Sequence, residues 1–201
     1  AVLAMNANSG SNVRFILVQI PEECEIGSQA KKDGFQTIAD ISKERVRRVG
    51  EKILKESSCK EWNKDVGFRV LKVDSTNMAD VYYTPDTIHS TSLDLFVDNI
   101  KSDRTAEDLL FQVMLDWGID LGLPISKKTI NEVECFFVDE NTLVACFDFS
   151  GRINDAFIKE LGKNRPLRVV FRDRGFKDDA AKINAEQILK VISPETEVKV
   201  I

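Results

Sequence analysis

The residues best placed to do chemistry are Gln19, Glu22 and Glu23, at the end of the stretch 13–22, VRFILVQIPE. Val13, Phe15, Ile16, Leu17, Val18 and Ile20 form an apolar run with little polar alternation, the pattern of a strand buried on both faces of a parallel sheet. Pro21 has no N–H to give a ladder, so the strand should stop there. Glu22 and Glu23 then lie just past its carboxyl end, where open α/β sheets bind ligands, and a carboxylate there suits the hydroxyls of a ribose. A second candidate is 171–177, FRDRGFK, which sets Asp173, Arg174 and Gly175 between a buried strand and a helix. There the expected role is structural, because an Asp and an Arg flanking a turn pair with each other or cap the helix.

Other chemistry is poorly supplied. The chain carries no glycine-rich dinucleotide fingerprint, no P-loop, no zinc-protease helix and no nucleophile elbow. The single His89 cannot form a dyad and sits in a polar stretch, where a solvated imidazole is the expectation. Cys24, Cys59, Cys135 and Cys146 show no C-x-x-C pairing and make a poor zinc set, so reduced structural thiols are expected and no metal. Tyr82, Tyr83 and Trp62 could stack on bases, but packing over a domain edge is the commoner use.

The elements that must position these residues follow from pattern. Residues 1–10, AVLAMNANSG, read as the last turns of a helix closed by Gly10, and with no N-cap before Ala1 the chain is expected to be a fragment of a longer protein. Residues 23–34 should be a surface loop. A helix is then expected over 35–55, with Phe35, Ile38, Ile41, Val46, Val49 and Ile53 near one face and Lys43, Arg45, Arg47, Arg48, Lys52 and Lys55 over the rest. That basic face is expected to be solvated charge on a crossover helix, with DNA phosphate contact as the alternative. A second strand over 66–74, VGFRVLKVD, completes a βαβ unit and places 1–74 in a doubly wound sheet.

Residues 75–104 are rich in turn chemistry and read as a connecting segment. Thr105 then caps a helix ended by Gly118, 133–138 and 142–149 read as strands joined by a turn at Asp139, Glu140 and Asn141, and 154–161, 167–171, 179–191 and 197–201 read as helix, strand, helix, strand. The fold class is therefore α/β, a partial Rossmann-like sheet followed by a smaller α/β domain over 105–201. At 201 residues, 43% apolar and net charge −5, the chain can bury one good core or two small ones and does not coat nucleic acid wholesale. It lacks a transmembrane span and a secretory signal, which points to the cytoplasm and away from membranes.

Taken together, AVLAMNANSGSNVRFILVQIPE, TIADISKERVRRVGEKI, DVGFRVLKVDSTN, DNIKSDRTAEDLL, VVFRDRGFKDDAAKINAEQIL and SPETEVKVI resemble the carboxy-terminal portion of the methylation subunit of type III restriction-modification systems. These stretches span essentially the whole chain. The resemblance implies an adenine-specific DNA methyltransferase that takes its methyl group from S-adenosylmethionine. It makes 1–74 the end of the cofactor-binding domain, with Glu22 at the ribose side and Gln19 or Glu23 as substitutes, and makes 105–201 an assembly domain. In that family the glycine-rich cofactor loop, the Asp-Pro-Pro-Tyr motif and the target-recognition region lie further upstream, so this chain alone is expected to be inactive, to hold the cofactor weakly or not at all, and to have no catalytic residue of its own. The partners implied are DNA, a second methylation subunit and the restriction subunit. Two other readings remain open: a silent dimerisation and partner-binding module, and a nicotinamide-dinucleotide-binding half domain, whose ribose would also accept a carboxylate after a strand.

Overall fold

A computed structural model describes residues 1–57, 59–79 and 99–201. His89, Tyr82 and Tyr83 lie outside these residues. The chain divides into two units, 1–73 and 74–201. The architecture is mixed α/β, consistent with a partial Rossmann-like fold, and the described ladders that make up its sheet belong to the second unit.

In the first unit, α1 (Val2–Ser9) ends at Gly10, whose φ of 66° is the left-handed cap that the absence of a Cβ makes inexpensive. Leu3 and Ala7 are its buried apolar residues, and the Ser57 hydroxyl donates to the Ala7 carbonyl. A short α2 (Gln29–Lys32), capped by Ser28, interrupts the expected loop. The long α3 (Ile38–Glu56) starts in a full capping box: the Thr37 hydroxyl accepts from the Asp40 N–H while the Asp40 carboxylate accepts from the Thr37 N–H. The Lys43 ammonium, followed by the Thr37 hydroxyl and N–H that donate to the same carboxylate, holds the Asp40 carboxyl down at about 2. Gly50 is the buried residue of α3, and a Cβ there would stand 3.1 Å from the Val66 Cβ.

The stretches 13–20 and 66–74 differ from their sequence pattern: neither forms a ladder among the described residues. Ile16, Leu17, Val18 and Ile20 are 92, 67, 92 and 68% exposed. Among the described residues no strand pairs with this stretch, so it lacks the sheet that its apolar pattern suits, although the Val13 backbone is bonded to the Asn6 side chain and Phe15 is half-buried.

In the second unit, α4 (Ala106–Asp116) opens on a Thr105–Asp108 capping box and stops at Gly118, φ 64°. Five strands follow in spatial order: β1 (Ile125–Ile130), β2 (Val133–Val138), β3 (Leu143–Cys146), β4 (Arg168–Phe171) and β5 (Glu197–Val200). The β1–β2 and β2–β3 pairs are antiparallel; β3–β4 and β4–β5 are parallel. Each parallel step needs a crossover, supplied by α5 (Asp155–Gly162) and α6 (Asp179–Ile192). Asp139 and Glu140 both take positive φ in the β2–β3 turn, as a tight reversal of right-twisted strands requires.

Alternation along the strands sends side chains to two cores. Phe136, Val138, Leu143, Ala145 and Val170 face Leu109, Leu110, Val113 and Met114 of α4. Cys135, Phe137, Val144, Cys146, Val169 and Phe171 face Phe157, Ile158 and Leu161 of α5 and Ala185 and Leu189 of α6. Ile100 is buried in the α4 core and Met78 packs beside it, bridged to it through the backbone, so both described ends of the turn-rich segment contribute to this unit.

Gly175 closes the 3-10 turn Asp173–Gly175, and its carbonyl accepts from the Ile153 N–H at 3.1 Å. A Cβ on it would meet the Asp148 carbonyl oxygen at 2.6 Å and Ile153 Cδ1 at 2.7 Å. Gly175→Ala is therefore expected to push the β3–α5 loop off the turn, at a cost of about 1–3 kcal/mol. A lowered urea midpoint at unchanged slope would show it.

Candidate functional site

Among the described residues, one place in each unit bears on the expected site residues. In the first, the end of the apolar run is fixed by main-chain bonds to the start of α3. The Ile38 N–H donates to the Glu22 carbonyl at 2.9 Å, the Cys24 N–H donates to the Gln36 carbonyl at 2.8 Å, and Glu23 bridges Thr37. Glu22, Glu23 and Gln19 are exposed, and the Gln19 amide donates to the Ile20 carbonyl at 3.2 Å. The backbone of residues 22–24 is thus held by the first turn of a capped helix while the carboxylates remain at the surface. The geometry supplies acceptors for hydroxyls.

The basic face of α3 is laced with acidic partners. Lys43 lies 2.7 Å from Asp40, Arg48 2.7 Å and Arg47 3.7 Å from Glu44, and Lys52 3.8 Å from Glu56. Arg47 also stands over the Phe68 ring, 5.9 Å from its centroid. Such i,i+3 and i,i+4 pairs are what a solvated helix face contains.

In the second unit, the carboxyl ends of β3 and β4 carry Asp148 and Asp173. The Asp148 side chain is 8% exposed and lies 2.5 Å from Arg152 Nη2; it also accepts from the Ser150 N–H at 3.1 Å and the Ser150 hydroxyl at 2.8 Å. Arg152 donates in turn to Ser150 Oγ and to the Glu132 carbonyl. Burial pushes the Asp148 carboxyl up, but the bonds from Arg152 and Ser150 outweigh it and hold it below the usual carboxylate range. Asp173 is held by Lys182, and Arg172 stacks over Phe149 at 5.3 Å. A cavity of about 650 Å³ opens beside this loop cluster, lined by Gly151, Asn154, Asp155, Lys177, Asp178 and Asn184 among others.

The cavity faces the first turns of α5 and α6, yet both are already capped: Asn154 accepts from the Phe157 N–H at 3.0 Å and Asp178 from the Ala181 N–H at 2.8 Å. With Asp155 and Asp179 beside the caps, the dipole ends are satisfied and the local field disfavours an anion. Asp173 serves Lys182, and Gly175 provides close packing. No group of three or more metal-ligating side chains occurs among the described residues, and no described helix is long and apolar enough to cross a membrane.

The sequence pattern pointed to the FRDRGFK turn but passed over its partner, the Asp148–Ser150–Arg152 cluster. Asp-x-Ser-x-Arg after a strand is a local signal for it: the Asp can accept from the Ser backbone and the Arg can fold back two positions later.

No family model matches the chain. It is 24% identical over 193 residues, 94% of its length, to the Mod subunit of the type III restriction-modification enzyme EcoP15I of Escherichia coli. It is 39% identical over 69 residues, 34% of its length, to the Mod subunit of the type III enzyme StyLTI of Salmonella typhimurium. The matched regions span 28% and 10% of those two proteins.

The depressed Asp148 carboxyl contributes stability that is complete above the unfolded value, about 3.9, and is lost as pH falls through and below it. Between pH 5 and pH 3 the urea midpoint is expected to fall, and Asp148→Asn should flatten that fall in part, since Asp40, Asp74, Glu107 and Asp108 are depressed as well. Equal pH dependence in both proteins would assign the cluster no such role.

Proposed function

We propose that this relative of the type III Mod subunits is the carboxy-terminal part of a DNA methylation subunit, whose first unit completes the cofactor-binding sheet of a longer polypeptide. The observation that carries the reading is the bare apolar run ending at a fixed Glu22. Covering side chains such as Ile16 and Leu17 is worth about 1.5–3 kcal/mol each, which gives the remainder of a methyltransferase domain ample reason to pair with residues 13–20. The sequence match along 94% of the chain supports the same reading.

In that setting the parent transfers a methyl group from S-adenosylmethionine to the exocyclic amine of an adenine in DNA. Glu22 accepts hydrogen bonds from the ribose hydroxyls, with Gln19 and Glu23 as the neighbouring substitutes. The described residues of this chain supply a carboxylate and a strand end, and transferase activity is assigned to the longer polypeptide that carries the glycine-rich loop and the Asp-Pro-Pro-Tyr motif. The second unit has both sheet faces covered and two closed cores. That observation favours a second role beside the first, with residues 105–201 acting as an assembly domain that joins two methylation subunits or meets the restriction subunit, and residues 75–104 as the connection to it.

Glu22→Ala in the full-length parent is expected to raise the apparent constant for S-adenosylmethionine by about tenfold or more, as loss of a charge-assisted hydrogen bond of roughly 1.5–3 kcal/mol implies, with the saturated rate changed far less. Titration calorimetry and steady-state methyl transfer measure the two. An unchanged constant would move the role to Gln19 or Glu23, and low-micromolar binding of the cofactor to this chain alone would contradict the division of the site.

A further inference from the structure

Cys135 and Cys146 occupy opposed positions on neighbouring antiparallel strands. The β2–β3 register pairs Phe136 with Ala145, and one step further along it sets Cys135 against Cys146. Both side chains project into the core under α5 and α6, both are fully buried, and their sulfurs lie 2.7 Å apart. That separation is well inside ordinary contact of two unbonded sulfurs and within a fraction of an ångström of a disulfide, about 2.05 Å. Cys24 and Cys59 belong to the other unit, and all four thiols are free.

We propose that Cys135 and Cys146 are a modification site: they form a reversible cross-strand disulfide that ties β2 to β3, by exchange with a low-molecular-weight disulfide. One cysteine, as thiolate, attacks a sulfur of the reagent RSSR; the S–S bond breaks, RSH leaves with the proton, and a mixed disulfide remains. The second cysteine, also as thiolate, attacks the protein sulfur of that mixed disulfide and releases the second RSH. Two electrons pass from the cysteine pair to one RSSR, and the two thiol protons end on two RSH.

Burial sets when this happens. Burial, reinforced by the neighbouring Cys135, raises the Cys146 thiol well above its ordinary value, so in the folded chain Cys146 presents almost no thiolate, and both fully buried sulfurs are closed to a reagent. Exchange therefore runs while the sheet is open, before folding or during transient unfolding, and the closed sheet then retains the bond. Loop closure in the unfolded chain is the source of the added stability.

The chain is unfolded, refolded in oxidised and reduced glutathione, alkylated with N-ethylmaleimide under denaturing conditions and digested with trypsin. No Lys or Arg lies between Thr129 and Gly151, so both cysteines fall in one peptide ending at Arg152. Expected is that peptide unalkylated and lighter by two hydrogens, with Cys24 and Cys59 alkylated. The oxidised protein should melt roughly 5 °C or more above the dithiothreitol-treated one. Native chain should oxidise at least about tenfold more slowly than refolding chain, as thiolate suppression and lack of access require. Cys146→Ala should abolish the melting difference, and Cys135→Ala is the alternate where that variant does not fold. A fully alkylated or singly glutathionylated peptide, linkage through Cys24 or Cys59, or an oxidised form no more stable than the reduced one would overturn the proposal.

Discussion

Strand β3 is the constraint on which the second unit depends. Each of its residues, Leu143 to Cys146, is fully buried, and its backbone is paired on both sides, antiparallel to β2 and parallel to β4. A strand apolar on both faces requires a layer on each. Helix α4 covers Leu143 and Ala145, while α5 and α6 cover Val144 and Cys146. The change of direction at β3 follows from its connections: a short turn can only return an antiparallel strand, and a parallel one needs a helix. Carboxyl ends of β3, β4 and β5 consequently lie on one edge, where the Asp148–Arg152 cluster, the Asp173–Lys182 pair and the two helix caps collect.

The first unit contains the same kind of strand without its layers. Residues 13–20 match β3 in apolar character, yet Ile16, Leu17, Val18 and Ile20 face solvent, and the stretch is held at Val13 by the Asn6 side chain and at its other end by the turn into α3. The apolar side of α3 tells the same story: Ile38, Val49 and Leu54 are all partly exposed along a helix whose start is fully capped. Local signals are satisfied and tertiary ones are not, as the proposed completion of the sheet by further polypeptide requires.

Elements governed by local chemistry were legible from the sequence. Thr105 marks its helix because a hydroxyl before an acidic first turn has a direct electrostatic and hydrogen-bonding use there, and Gly10 and Gly118 mark helix ends because only a residue without a Cβ takes positive φ cheaply; Thr37, which the pattern placed inside a helix over 35–55, caps α3 instead. Strands β2 to β5 followed from apolar runs. Strand β1 was hidden, since its ISKKTI sequence carries Lys127 and Lys128 on an edge, where Lys127 pairs with Glu107 and Glu134 and lies over the Phe136 ring. The candidate carboxylates could be named from Pro21 and the strand pattern. Their exposure and their tether to α3 could not, because both depend on what packs around the strand rather than on the strand itself.

Amide hydrogen exchange of residues 13–20 tests the central claim most directly. In this chain the described residues give those amides no ladder partner, and those of residues 15–20 should exchange within the dead time of the measurement, while in the full-length parent they should be protected to the level of β3, as the interior of a completed sheet. Fast exchange of the stretch in the parent, or strong protection in this chain alone, would contradict a sheet completed by the rest of the polypeptide.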